Sequence, residues 1–275
     1  MLRIKRDHKE EEWITVTPEL AKIFLASSIG NRPESAHTVD AYARDIVAHK
    51  WYANGEPITF DTNGHMRNGH HRCLACIKAN TPFVSLVVFG LPPEDCDEYD
   101  RCKARSFRDR MVLSEAEKWM ASGSVITVVR THFRTHGISK PTDSDIEGFM
   151  DRNKEELEWC YNTFLYKAKK NVKKAGVSLA IFYALKVGVN RDDLKEFAES
   201  VDTGLYDVSK GTAIYRLLKD LNSQSYGKSG NTAQKMLLLA TENAIKDFIG
   251  RKDRTKTYLS HANPVWSNLE IISAL

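Results

Sequence analysis

The chain has 275 residues, 42% of them hydrophobic and 28% charged, with a net charge of +4. Those are globular proportions, and no apolar run is long enough to cross a bilayer, so neither extensive disorder nor a membrane partner is expected. Five irregularly spaced cysteines, and an amino-terminal stretch without an apolar signal core, point to a reducing cytoplasm rather than a disulfide scaffold or an exported protein.

Residues 1–12 are dense in charge and read as a poorly ordered segment. Thr17-Pro18-Glu19 is a helix start, with a capping threonine and a proline in the first turn, and Leu20, Ile23 and Phe24 supply one apolar face. After Gly30-Asn31-Arg32-Pro33, a second helix is predicted from Val39, Tyr42, Ala43, Ile46 and Val47. Asn54-Gly55-Glu56-Pro57 breaks it. A short apolar run then ends in Asp61-Thr62-Asn63-Gly64, a strong hairpin turn, with Asp61 assigned to the turn itself. The returning strand delivers Asn68-Gly69-His70-His71-Arg72, and a helical pattern begins at once with Leu74, Ala75 and Ile77. Residues 83–89 read as a buried strand closed by Gly90-Leu91-Pro92-Pro93.

From about Ser106 onward the pattern is helix after helix. Ser106-x-x-Asp109, Thr142-x-x-Asp145 and Asn190-x-x-Asp193 stand where helix caps belong. Val125, Val128, Val129 and Phe133 share one face, and so do Leu157, Tyr161, Phe164 and Leu165. A helix over residues 232–249 is expected to bury Met236, Leu239, Ala240 and Ala244. The fold class is therefore α+β, with a mixed domain over residues 13–110 and an all-helical domain over residues 111–275.

The residues richest in chemistry lie at 68–72, where a strand turns into a helix. Unpaired first-turn N–H groups and the positive end of the helix dipole favour phosphate there. Gly69 would let the backbone approach a ligand, Arg72 would grip phosphate oxygens with its planar fork, and His70 and His71 could donate to phosphate or move a proton. Alternatively, the box is a tight turn whose polar side chains cap the next helix. Zinc is a weaker reading of His70, His71, Cys73 and Cys76, because both cysteines fall inside the helix and no second C-x-x-C follows at finger spacing. No G-x-x-x-x-G-K-S/T loop is present. Lys167, Lys169, Lys170, Lys173 and Lys174 form one basic cluster, and Arg251, Lys252, Arg254 and Lys256 form another. Each is either a phosphate-backbone contact or a solvated helix end.

The segment over residues 17–109 resembles the ParB-like proteins common in phage genomes. Its G-x-x-R-x-x-A pattern is similar to the phosphate-binding motif of the ParB/sulfiredoxin superfamily. The matching pieces are residues 17–21, 31–33, 39–45, 56–60, 68–74, 87–91 and 100–106. The resemblance implies a small mixed-sheet domain holding nucleotide phosphates over residues 69–72, with ATP or CTP and Mg²⁺ as cofactors. Relatives of this kind include CTP-hydrolysing partition proteins, sulfiredoxins with a G-C-H-R motif, and serine kinases with a D-G-H-H-R box. This chain reads N-G-H-H-R, closest to the kinase form, with Asn68 in place of aspartate. The implied site has Gly69, Arg72, Asn68, Arg32 and Arg105 on phosphate, His70, His71 and Glu56 in catalysis, and Asp100 on metal. Arg32 and the Asp100/Arg105 pair could equally be surface ion pairs. The expected function is phosphoryl transfer or NTP hydrolysis, with DNA or a modified nucleotide as substrate or partner. Lys169, Lys170, Lys173, Arg251, Lys252 and Arg254 are the candidate nucleic-acid contacts. A DNA-binding protein switched by nucleotide, or a nuclease, is the alternative. A homodimer is allowed for, and the expected location is the bacterial cytoplasm if the gene is phage-borne.

Overall fold

The computed structural model describes residues 4–29, 34–98, 106–114, 116–223, 230–253, 256, 258–259 and 263–270. The chain is mixed α and β and divides into two compact units, residues 1–104 and 105–275. The division falls before the boundary expected at 110. The Ser106/Asp109 capping box starts a helix, α4 (Phe107–Leu113), whose Phe107 and Met111 join the helical core.

The N-terminal unit has four strands, β1 (Glu10–Val16), β2 (Ile58–Asp61), β3 (Met66–Asn68) and β4 (Phe83–Leu91), in the order β1-β4-β2-β3. β4 pairs antiparallel with β1 and parallel with β2, and β3 returns antiparallel on β2. Three helices pack with the sheet: α1 (Pro18–Ala26), α2 (Ala36–Val47) and α3 (His70–Ala79). Thr17 caps α1 and Ser35 caps α2, each side chain accepting an N–H of the first turn. Phe60 stacks on Phe89 at 5.3 Å and meets Phe24 edge-on at 4.9 Å, at the centre of a core that also takes Val16, Ile46, Ile58 and Met66. Val47, expected on the core face of α2, is exposed instead.

β1 corrects the reading of residues 1–12 as a poorly ordered segment at its end, where Glu10–Glu12 are strand. Glu10, Glu11 and Glu12 pair with Phe89, Val88 and Val87 and continue into Trp13-Ile14-Thr15-Val16. Only Val16 is fully buried, with Ile14 partly so, which is why a run opening on three glutamates hides its strand. Charge on an edge strand also discourages pairing with another chain. Arg6 adds a cation over the Phe89 ring, 5.0 Å from its centroid.

The helical unit continues with α5 (Gly123–Thr135), α6 (Asp143–Arg152), α7 (Lys154–Cys160), α8 (Ala175–Lys186), α9 (Arg191–Thr203), α10 (Ala213–Ser223) and α11 (Asn231–Ile249). Ser106, Thr142 and Asn190 cap their helices with side-chain oxygens, in the places the sequence assigns to them. From Ala175 to Leu185 every residue of α8 is buried, as befits a helix apolar on all sides. Gly176 allows α11 to lie close, because a Cβ there would sit 2.4 Å from the Gln234 carbonyl oxygen. On α11 the buried face is Ala233, Leu237, Ala240, Thr241, Ala244 and Phe248, displacing the expected Met236 and Leu239 to its margin. Two buried carboxylates anchor the chain beyond α11. Asp220 accepts the N–H groups of Tyr258 and Leu259 at 2.6 and 3.2 Å, and Glu242 accepts those of Val265 and Trp266 and the Ser267 hydroxyl. Among the described residues no helix is long and apolar enough to cross a membrane.

Candidate functional site

The hairpin, α3 and the loop before β2 build the 68–72 box. Asp61 lies in the turn, as its sequence suggests, and its Oδ1 accepts the N–H groups of Asn63 and His65, both at 2.9 Å. That fixes β3, and β3 delivers Gly69 at the N-cap of α3 with φ of 107°. A Cβ on Gly69 would come within 2.8 Å of Ile58 Cγ1, so glycine is required on two grounds, the left-handed backbone and the close approach of β2. No side chain caps α3, unlike α1 and α2, and its first-turn N–H groups belong to His70, His71 and Arg72.

Arg72 requires a correction to its expected role. Its guanidinium is buried, and Nη1 and Nη2 donate to the carbonyl oxygens of Glu56 and Pro57 at 2.6 and 2.7 Å. The fork that was to clamp phosphate instead clamps the backbone entering β2. Burial pushes its pKa down, with the Glu56 carboxylate acting in the opposite direction. Asn68 does related work, its Nδ2 donating to the same Pro57 carbonyl at 3.1 Å. This explains asparagine at the head of the box: an ionised aspartate has no proton to give that carbonyl. Glu56 is exposed, with its carbonyl engaged by Arg72, and it lines a shallow hollow with Trp13, Trp51 and Tyr52. Its expected role as a catalytic carboxylate has no geometric support.

The two histidines part company. His71 Nε2 accepts the backbone N–H of Ser35 at 3.1 Å, which requires a neutral ring protonated on Nδ1. Burial, then the neighbouring His70, lowers its pKa, in keeping with that acceptor role. His71 therefore ties α3 to the start of α2 and is not placed as the acid its sequence position suggests. His70 is bound on both nitrogens, Nδ1 at 3.0 Å from the Ser28 hydroxyl and Nε2 at 3.3 Å from the Glu34 carboxylate. With Nε2–H given to Glu34, Nδ1 is left to accept from Ser28. This Ser–His–Glu chain can hold or pass a proton beside the uncapped end of α3.

Cys73 and Cys76 are buried thiols, with burial pushing their pKa values up to about 12 and about 11. Cys76 donates to the carbonyls of Val16 and Thr81. Neither resembles a thiolate ligand. Among the described residues no group of three or more His, Cys, Asp or Glu side chains is placed to hold a metal ion. Arg32, Asp100, Arg105 and Arg254 lie outside the described residues.

In the helical unit Lys169, Lys170 and Lys173 are exposed on the loop before α8, and Arg251 and Lys252 are exposed after α11. The two groups reach opposite ends of α10. Lys174 Nζ donates to the Leu221 carbonyl near its C-terminus, whereas the Lys252 carbonyl lies against Gly211 before its N-terminus. Ten residues of helical rise, about 15 Å, separate those attachment points. Ser28, Glu34 and Ser35, which bind the histidines, were invisible as partners in the sequence, since the pairs are 42, 36 and 36 residues apart. Only Ser35 carried a signal, as a cap residue before a helical pattern. Comparison with protein-family models, with curated proteins and with solved structures found no match.

Proposed function

We propose that the N-terminal unit binds the phosphate of a nucleoside triphosphate at the amino end of α3. His70 moves a proton there during phosphoryl transfer or hydrolysis, and nucleic acid serves as acceptor or partner. One observation carries this: His70, bridged between Ser28 and Glu34, stands at the first position of a helix whose glycine cap leaves its opening N–H groups without a side-chain cap. Those N–H groups and the helix dipole supply the anion-binding element, and the histidine supplies a group that can give or take a proton. Arg72, Asn68 and His71 support the site from behind by holding residues 56–57 and 35 in place. Mg²⁺ would bind together with the nucleotide, held mainly by its phosphates and water as is usual for that ion.

A switch without chemistry is the second reading, and the same clasps favour it. A ligand that pulled on the first turn of α3 would also move the loops that Arg72 and His71 hold. Incubating the protein with γ-labelled ATP or CTP and Mg²⁺, with and without DNA, separates the two. Label on DNA, or free phosphate, that is lost in His70→Ala supports transfer or hydrolysis. Intact nucleotide that nonetheless binds and alters DNA affinity supports the switch. No nucleotide binding at all refutes both.

A further inference from the structure

The helical unit carries a hollow of about 620 Å³ between the turn after α9 and the outer face of α10, within the range of roughly 300–1,000 Å³ typical of ligand clefts. Tyr206 lines one side, and Tyr215, Leu218, Lys219 and Asn222 line the other. Those four positions, spaced at i, i+3, i+4 and i+7, share one helix face. Tyr215 is 46% exposed, and the Arg216 guanidinium stands over its ring at 5.2 Å from the centroid.

The lysine-rich loop runs beside this hollow and is pinned at both ends. The N–H groups of Lys169 and Lys170 donate to the Asp202 carboxylate at 2.8 and 3.1 Å, just before the hollow's Gly204. At the other end Lys174 Nζ donates to the Leu221 carbonyl at 3.0 Å, next to the hollow's Asn222. Held by its backbone at one end and by the Lys174 side chain at the other, the loop leaves Lys167, Lys169, Lys170 and Lys173 exposed to solvent. Tyr166, 65% exposed, heads the loop where a π-helical turn closes with its N–H on the Tyr161 carbonyl at 2.9 Å.

We infer that this hollow and its lysine rim bind single-stranded nucleic acid, with bases stacking on Tyr215 and its neighbours and the phosphate backbone following the loop. The inference rests on the nucleic-acid part of the function proposed above, and does not require the nucleotide site. Aromatic faces beside a positively charged groove are the means by which single strands are held without sequence readout. A duplex keeps its bases inside and has no use for a tyrosine-lined hollow. Asp202 is the acidic group that holds the loop's backbone, its two carboxylate oxygens each accepting one N–H of the loop.

Fluorescence anisotropy of the full chain with a labelled oligodeoxythymidine tests this. Tyr215→Ala is expected to weaken binding about 5- to 100-fold, the range for loss of one stacked base, while Tyr215→Phe stays within about twofold. Replacing Lys169, Lys170 and Lys173 together by alanine is expected to flatten the slope of log affinity against log salt by about 2. His70→Ala should bind the strand as the wild type does, so failure of the nucleotide site and failure of this groove are told apart. Unchanged melting temperatures establish that the variants are folded. No binding of the single strand, tighter binding of the matching duplex, preference for an acidic peptide, or unaltered affinity in Tyr215→Ala would each overturn the inference.

Discussion

In the N-terminal unit the elements are short and polar side chains clasp the loops between them. Arg72 and Asn68 converge on the Pro57 carbonyl, His71 takes the Ser35 N–H, and Asp61 closes the hairpin. The helical unit is built the other way. Its centre is α8, apolar on every side, and its buried carboxylates Asp220 and Glu242 serve to hold the segments after α11. The contrast bears on the meaning of a polar motif. Where the apolar core is small, the residues that look most like chemistry are recruited to fold the backbone, and of the box at 68–72 His70 is the one bound on both sides by polar side chains, Ser28 and Glu34.

Breaking the largest clasp should expose the difference most. Arg72→Ala removes the donor to the Glu56 carbonyl and leaves the Pro57 carbonyl to Asn68 alone, and is expected to destabilise the N-terminal unit by about 3 kcal/mol or more, since each hydrogen bond from a charged group contributes about 1.5–3 kcal/mol. Trp13 and Trp51 line the same hollow as Arg72, so their fluorescence during urea unfolding reports the loss. Next comes Gly69→Ala, which sets a Cβ against Ile58 in a left-handed backbone and should lower stability by roughly 1–3 kcal/mol in the same assay.

The helical unit should respond to acid instead. Burial, with the nearby charges of His136 and Arg152, pushes the pKa of His132 down to about 3 from 6.5, and its Nδ1 lies 2.8 Å from the Tyr183 hydroxyl. The unfolded chain takes up this proton near pH 6.5 and the folded one does not, so stability is full above that value and falls as pH drops toward 3. The slope is at most about 1.4 kcal/mol per pH unit for this one proton. Chemical denaturation of wild type and His132→Gln across that window should differ by this slope. The smallest effect is expected at Glu56→Gln, where the carbonyl and not the carboxylate makes the contact to Arg72. Stability should change by no more than about 0.5 kcal/mol in the same denaturation assay.

Local chemistry was legible where a signal sat within a few residues: the caps at Thr17, Ser106, Thr142 and Asn190, the turn at Asp61 to Gly64, and the strand over 83–89. β1 was not, because Glu10 to Glu12 open an edge strand with three charges, two of them exposed, and break the apolar alternation that marks a strand. The box at 68–72 was legible as a place but not as a set of roles. Nothing local reveals that Pro57 needs two donors or that Ser35 needs an acceptor; those requirements arise only when β2, α2 and α3 come together. The face of α11 shifted for a similar reason, since α8 pressing through Gly176 decides which residues are covered.

The most direct test of the phosphate site is a titration of isotope-labelled protein with a nucleoside triphosphate, followed through its backbone amide resonances. The amides of His70, His71 and Arg72 are expected to move first and furthest, with those of Ser28 and Glu34 following and the Arg72 side-chain signals little changed. Shifts confined to other parts of the chain, or a phosphate contact that moves the Arg72 guanidinium while the first turn of α3 stays still, would contradict it.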